Sequence, residues 1–159
     1  MDAAGNLGSG HFSVTVTRPI PGRMHGGGTV AEGLKRVAFT LDVGESDNFV
    51  ERGWVSVASK EGNGRPRPFL GTVHEVKFSD AEGYVPGTSV PSGVDTVTFS
   101  GVGSWNGLPN YRFVVTASDR GEPGVGVDTF SLVVTSPAGL VVESISGVLR
   151  GGNIQSLRH

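Results

Sequence analysis

Apolar and polar residues alternate along most of this chain, and the alternation has a period of two. In KRVAFTLDV, Val37, Phe39, Leu41 and Val43 share one face. HFSVTVTR repeats the pattern with Phe12, Val14 and Val16, and GWVSVAS continues it beside Trp54. TVHEVKF places His74, Val76 and Phe78 together, opposite Glu75 and Lys77. Val97 and Phe99 follow, then Tyr111, Phe113 and Val115, then Phe130, Leu132 and Val134. AGLVVESISGVL closes with Val141, Ile145 and Leu149. About eight or nine strands are predicted, each with one face for a core and one for water.

The segments between them are rich in turn-forming residues. RPIPGRMHGGG, KEGNGRPRP, GYVPGTSVPSG and NGLPN carry Gly, Pro and Asn, which end strands by adopting positive φ or by fixing φ. Many short strands without helical interludes predict an all-β fold, an antiparallel β-sandwich or jelly roll, with a closed barrel as the second choice. A length of 159 residues suits one domain with a core large enough to be stable. The expected organisation is a flexible N-terminal leader over residues 1–10 and a β-sandwich domain over residues 11–159.

Composition sharpens this reading in two ways. The 26 glycines and 9 prolines, against 18% charged residues, favour turns and strands over helices. A net charge of −2 gives no basic footprint for nucleic acid or for an anionic membrane surface, so neither is expected as a partner. With no cysteine, disulfides, thiolate metal sites and cysteine nucleophiles are excluded. No apolar run approaches the ~20 residues that a spanning helix needs, so membrane insertion is not expected. MDAAGNLGSG has neither the basic n-region nor the apolar h-region of a signal peptide, and reads as a leader at the edge of a longer precursor.

Several motifs could carry chemistry. MHGGGTV contains an HGGG sequence of the kind that forms oxyanion holes in esterases, but no serine sits in a G-x-S-x-G elbow and no strand–helix alternation accompanies it. A glycine-rich connector is the better reading. His11, His25, His74 and His159 form no short-spaced ligand pair. Two acidic groups could offer oxygen ligands to calcium: Asp119, Glu122 and Asp128 in the loop ASDRGEPGVGVD, and Asp42, Glu45 and Asp47 in DVGESDNFVE. For the first, a structural turn with Asp119 in an Asx-turn competes with a metal site. Arg120 stands where it would repel a cation or neutralise a carboxylate. Trp54, Trp105, Tyr84 and Tyr111 are the candidates for an exposed aromatic that stacks on a sugar. Trp105 and Asn106, in GSWNGLPN, together with Tyr111, form the predicted ligand-binding group.

VTFSGVGSWNGLPNYRFVVTASDRGEPGVGVDTFSLVV, followed by GVLRGGNIQ, resembles the secreted bacterial domain family called post-COAP. The matching positions are Gly101, Gly103, Asn106, Gly107, Tyr111, Phe113, Asp119, Gly121, Asp128, Thr129, Phe130 and Gly151 to Gln155, and the resemblance spans roughly residues 26 to 156. It implies an all-β extracellular module of no established activity, with Asp128-Thr129-Phe130 acting as a structural latch. The long turn DRGEPGVGVD departs from the simplest form of the pattern and leaves open a shared ligand role for Asp119 and Asp128.

The expected function is therefore a non-catalytic extracellular or cell-surface binding or adhesion module. Its partner would be a polysaccharide or a surface protein, and its cofactor none unless calcium binds. The second expectation is a structural subunit of a fibre, surface layer or phage particle that assembles through the N-terminal arm or an edge strand. A glycoside hydrolase using paired carboxylates is the third.

Overall fold

A computed structural model describes residues 22–46, 50–80 and 95–158. The N-terminal leader, the strand expected at HFSVTVTR, His11, Asp47, Tyr84 and His159 lie outside the described residues. The described residues form nine antiparallel strands: β1 (Gly22–Glu32), β2 (Lys35–Glu45), β3 (Glu51–Glu61), β4 (Arg67–Asp80), β5 (Asp95–Trp105), β6 (Leu108–Asp119), β7 (Thr129–Thr135), β8 (Val141–Val148) and β9 (Gly151–Arg158). The all-β, antiparallel expectation holds.

The arrangement of the strands is a finding of the structure. All nine belong to one sheet in the order β8-β7-β6-β5-β4-β3-β2-β1-β9. The first eight form a meander and β9 returns to pair with β1, without the Greek-key crossings of a jelly roll among the described strands. The sheet curls until its halves face each other, so the two layers are parts of one continuous ladder. Phe39 on β2 stacks on Phe130 on β7, with ring centroids 3.7 Å apart and planes at 8°. Phe113 meets Phe69 and Phe99 edge-on, at 5.3 Å and 6.1 Å. Around these rings lie Met24, Val37, Leu41, Val55, Ile145 and Ile154, all buried.

Each face follows from the alternation except on β4, on β8 and at the end of β6, where Ala117, Ser118 and Asp119 are all buried. The pairing of β4 with β5 shifts register between Val73 and Glu75, so one extra residue is accommodated there. Val73 and Val76 both point inward while His74 is exposed, which corrects its expected place beside Val76 and Phe78. On β8 the inward series contains a charge. Glu143 is buried, whereas Val141, expected in the core, is exposed beyond a register shift near Thr135. The hairpin between β5 and β6 turns on Asn106 and Gly107, both at positive φ (50° and 81°), as a two-residue turn matched to the twist of its strands requires.

The curled sheet is closed by side chains. One edge of β9 pairs with β1, from Gly22↔Arg158 to Thr29↔Gly151. On its other edge the Ile154 N–H donates to Asp128 Oδ2 (2.9 Å) and the Ser156 N–H to Asp119 Oδ2 (2.8 Å). Two carboxylates thus take the place that carbonyls of a neighbouring strand would fill.

Candidate functional site

The outward face of β1, β2 and β3 is ordered in rows by the strand register. Arg23, Gly44 and Arg52 form one row, and His25, Asp42 and Trp54 the next. Then come Gly27, Thr40 and Ser56, followed by Thr29, Ala38 and Ala58. Strand alternation turns Val43 and Val55 into the core and so directs Asp42 and Trp54 outward.

The first two rows frame a concavity of about 440 Å³, lined by Arg23, Asp42, Glu45, Arg52 and Trp54. Gly44 stands between the two arginines in the register, and a Cβ there would lie 2.9 Å from the Gly22 carbonyl oxygen. Gly53, at φ 147°, is required where it is: a Cβ there would lie 2.3 Å from the Asp42 carbonyl oxygen. Trp54 is 45% exposed, so much of its ring faces solvent. Beside it Arg23 grips Asp42 through two bonds, Nε to Oδ1 at 3.0 Å and an η-nitrogen to Oδ2 at 2.7 Å. This fork fixes both side chains in a plane and holds the Asp42 carboxyl below the usual carboxylate range. An aromatic platform flanked by planar, bidentate polar groups can stack on a sugar ring and exchange hydrogen bonds with its hydroxyls.

The residues expected to bind ligand are placed differently. Trp105 is only 7% exposed and lies under the Arg67 guanidinium, 5.5 Å from the ring centroid, so its expected role as an exposed stacking surface is corrected: the ring closes the end of the core. Asn106 forms the exposed hairpin turn, where its backbone N–H donates to the Pro68 carbonyl (2.8 Å). Tyr111 packs partly buried against the core.

Asp119, Glu122 and Asp128 do come together, around β9. Asp128 Oδ1 accepts the Arg120 N–H at 2.8 Å, besides its bond from Ile154. Asn153 Nδ2 donates to both Glu122 oxygens (3.0 and 2.9 Å), and Gln155 Nε2 to one of them (3.1 Å). Asn153 Oδ1 accepts the Gly124 N–H at 2.7 Å. Burial pushes the Asp119 carboxyl up, against the Ser156 N–H and with the neighbouring Asp128 and Glu122 charges. Glu122 is held low by Asn153 and Gln155. Among the described residues no group of three or more acidic or histidine side chains is arranged to hold a metal. The arrangement ties a loop to a strand, and it joins the D-T-F and G-G-N-I-Q segments.

No family model, curated protein or solved structure matches this chain. The site therefore rests on its own geometry. Trp54 was legible as a candidate from its aromatic character alone. The Arg23–Asp42 fork was not, because 19 residues separate its members and only the β1–β2 register places them together.

Proposed function

We propose that this chain is a non-catalytic extracellular binding module that holds carbohydrate on the outward face of β1–β3. The observation that carries the reading is the half-exposed Trp54 ring beside the Arg23–Asp42 fork in a concavity of about 440 Å³. A rigid sheet supports these groups, so a sugar meets a platform that is ordered before it binds. The Asp42 carboxyl is held low by Arg23, the reverse of what a general acid needs, which favours binding over hydrolysis. The likeness to the post-COAP pattern supports an extracellular setting. Among the described residues no helix is long and apolar enough to cross a membrane.

Affinity electrophoresis through gels containing soluble glycans tests the proposal. Retardation by at least one glycan is expected, and Trp54→Ala should weaken it by about ten-fold or more, the scale of losing a central aromatic anchor. Because Trp54 is half-exposed, its replacement should leave the melting temperature nearly unchanged. Retardation that survives Trp54→Ala would remove the site from this face.

The assembly reading has one observation of its own: β8 pairs with β7 alone, so its outer edge has no strand partner among the described residues. Sedimentation velocity separates the two, because a subunit that assembles through this edge forms defined oligomers at raised concentration.

A further inference from the structure

The same sheet face continues from Trp54 to a second concavity of about 460 Å³, at the end formed by the β1–β2 turn. Its floor is the low row of Thr29, Ala38 and Ala58, and Arg36, Lys60 and Arg150 stand around it. Arg36 and Lys60 are direct cross-strand partners. Like charges so placed repel and weaken the pairing of their strands. Among the described residues nothing relieves them: none of the three cations has an ion-pair partner there, although nearby Lys35 and Arg67 are both paired with Glu143. The chain as a whole is slightly acidic, so this is a local concentration of positive charge and no reflection of composition. The Arg150 N–H bonds to the Thr29 carbonyl (2.7 Å), which anchors the third cation to the rim.

We propose that this concavity receives the anionic group, carboxylate or sulfate ester, of an acidic polysaccharide whose neighbouring uncharged sugars lie against Trp54. The inference rests on the carbohydrate-binding reading and specifies its ligand class. Trp54 and Lys60 are six residues apart on one strand, about 20 Å at the rise of an extended chain. The rows between them present Thr40, Ser56, Ala38 and Ala58, small side chains over which a glycan lies without obstruction. The charge pattern selects the chain. Unpaired cations stand at one end, while at the Trp54 end Arg23 and Arg52 are balanced by the Asp42 and Glu45 carboxylates. A uniform polyanion such as duplex DNA, with a phosphate at each step, would find no excess of cations there. A polysaccharide alternating acidic and uncharged sugars needs none where its uncharged sugars lie.

The test uses the full chain and four probes: hyaluronate, in which a uronate alternates with an uncharged sugar; chondroitin sulfate, which adds sulfate esters; uncharged dextran; and duplex DNA. Affinity is measured at low and at high salt for the wild type, for the Arg36→Gln/Lys60→Gln/Arg150→Gln triple variant and for Trp54→Ala. These positions are exposed, and an unchanged melting temperature confirms that each variant folds. The wild type should prefer one or both acidic glycans to dextran, and preference for hyaluronate or for chondroitin sulfate identifies the anionic group. The triple variant should lose about ten-fold or more of that affinity together with its salt dependence, as removal of charge-assisted bonds requires. Trp54→Ala should weaken the acidic glycans as well. Glycan binding through Trp54 that ignores the triple variant overturns this inference and leaves the binding-module reading intact. Binding of no glycan overturns both, and tighter binding of DNA than of either acidic glycan overturns the ligand class.

Discussion

Glu143 is the residue at which sequence pattern and packing part. Its position on β8 continues an apolar series, and the structure does bury it, but with partners: Lys35 Nζ at 2.6 Å, the donating Ser59 hydroxyl, the Ser144 N–H at 3.0 Å and an Arg67 η-nitrogen at 3.5 Å. Burial alone would raise its carboxyl, but Lys35 and Ser59 outweigh that and hold it below the usual range. A carboxyl whose folded value is depressed contributes stability that is fully present above its unfolded value and is lost as pH falls through the folded one. Denaturant midpoints measured from neutral pH into acid should therefore fall, and Glu143→Gln should flatten that acid limb while lowering stability at neutral pH. Asp119 carries the opposite sign. Its raised folded value makes its contribution greatest below the unfolded value and smaller as pH rises through the folded one, so Asp119→Asn should steepen the fall on the acid side. The aromatic core gives a plainer expectation at this scale. Phe113→Ala and Phe130→Ala should each cost about 3–5 kcal/mol in urea denaturation, because both rings are buried among others. The exposed Val114→Ala should stay within about 0.5 kcal/mol.

At the scale of elements, β9 is the strand whose place is decided by side chains. Its N–H groups at Ile154 and Ser156 face Asp128 and Asp119 instead of another strand. Asp128→Ala would leave the buried Ile154 N–H without an acceptor, at about 1–3 kcal/mol, and would turn the Arg120 N–H over to water. Amide hydrogen exchange should then accelerate at Ile154 and its β9 neighbours before it does so in β5 and β6. Asp128→Asn, which keeps one acceptor oxygen, should lose less. The same contacts bear on calcium, which takes six to eight oxygen ligands. Asp128 uses both oxygens and Asp119 one on N–H donors, so a cation would have to displace bonds that close the fold. Millimolar calcium should produce no measurable rise in melting temperature, and a rise abolished by Asp119→Asn with Asp128→Asn would overturn this expectation.

For the molecule as a whole, a curled meander has consequences that separate sheets would not. Consecutive strands pair, so most ladder contacts are between chain neighbours, and distant parts are joined by β9, by the Phe39–Phe130 stack and by the bonds of Glu143 to Lys35, Ser59 and Arg67. Closure keeps the outer faces apart, and among the described residues no strand covers the β1–β3 face. Its two concavities at opposite ends share one rigid support, so replacing groups at one end should leave the geometry of the other unchanged. Trp54→Ala combined with the Arg36, Lys60 and Arg150 replacements should accordingly melt like the wild type within a few degrees, as distant exposed substitutions do.

The alternation of Val37, Phe39, Leu41 and Val43, and of Phe130, Leu132 and Val134, was sufficient to predict strands and inward faces, because a period of two has only two faces to choose between. Asn106-Gly107 and the other glycine-rich stretches marked turns for an equally local reason, the backbone angles that those residues allow. What local chemistry does not encode is which strand lies beside which. One curled sheet instead of two, the inward turn of Trp105 and the one-residue shift that exposes His74 all arise from packing between elements. So do the Arg23–Asp42 fork beside Trp54 and the Arg36–Lys60 pair, whose members meet only through strand register. The acidic loop shows the division most directly. Its carboxylates could be read from the chain, but their role depends on the N–H groups of β9, which lie 26 and 37 residues further along the chain and reach them only when the sheet curls shut.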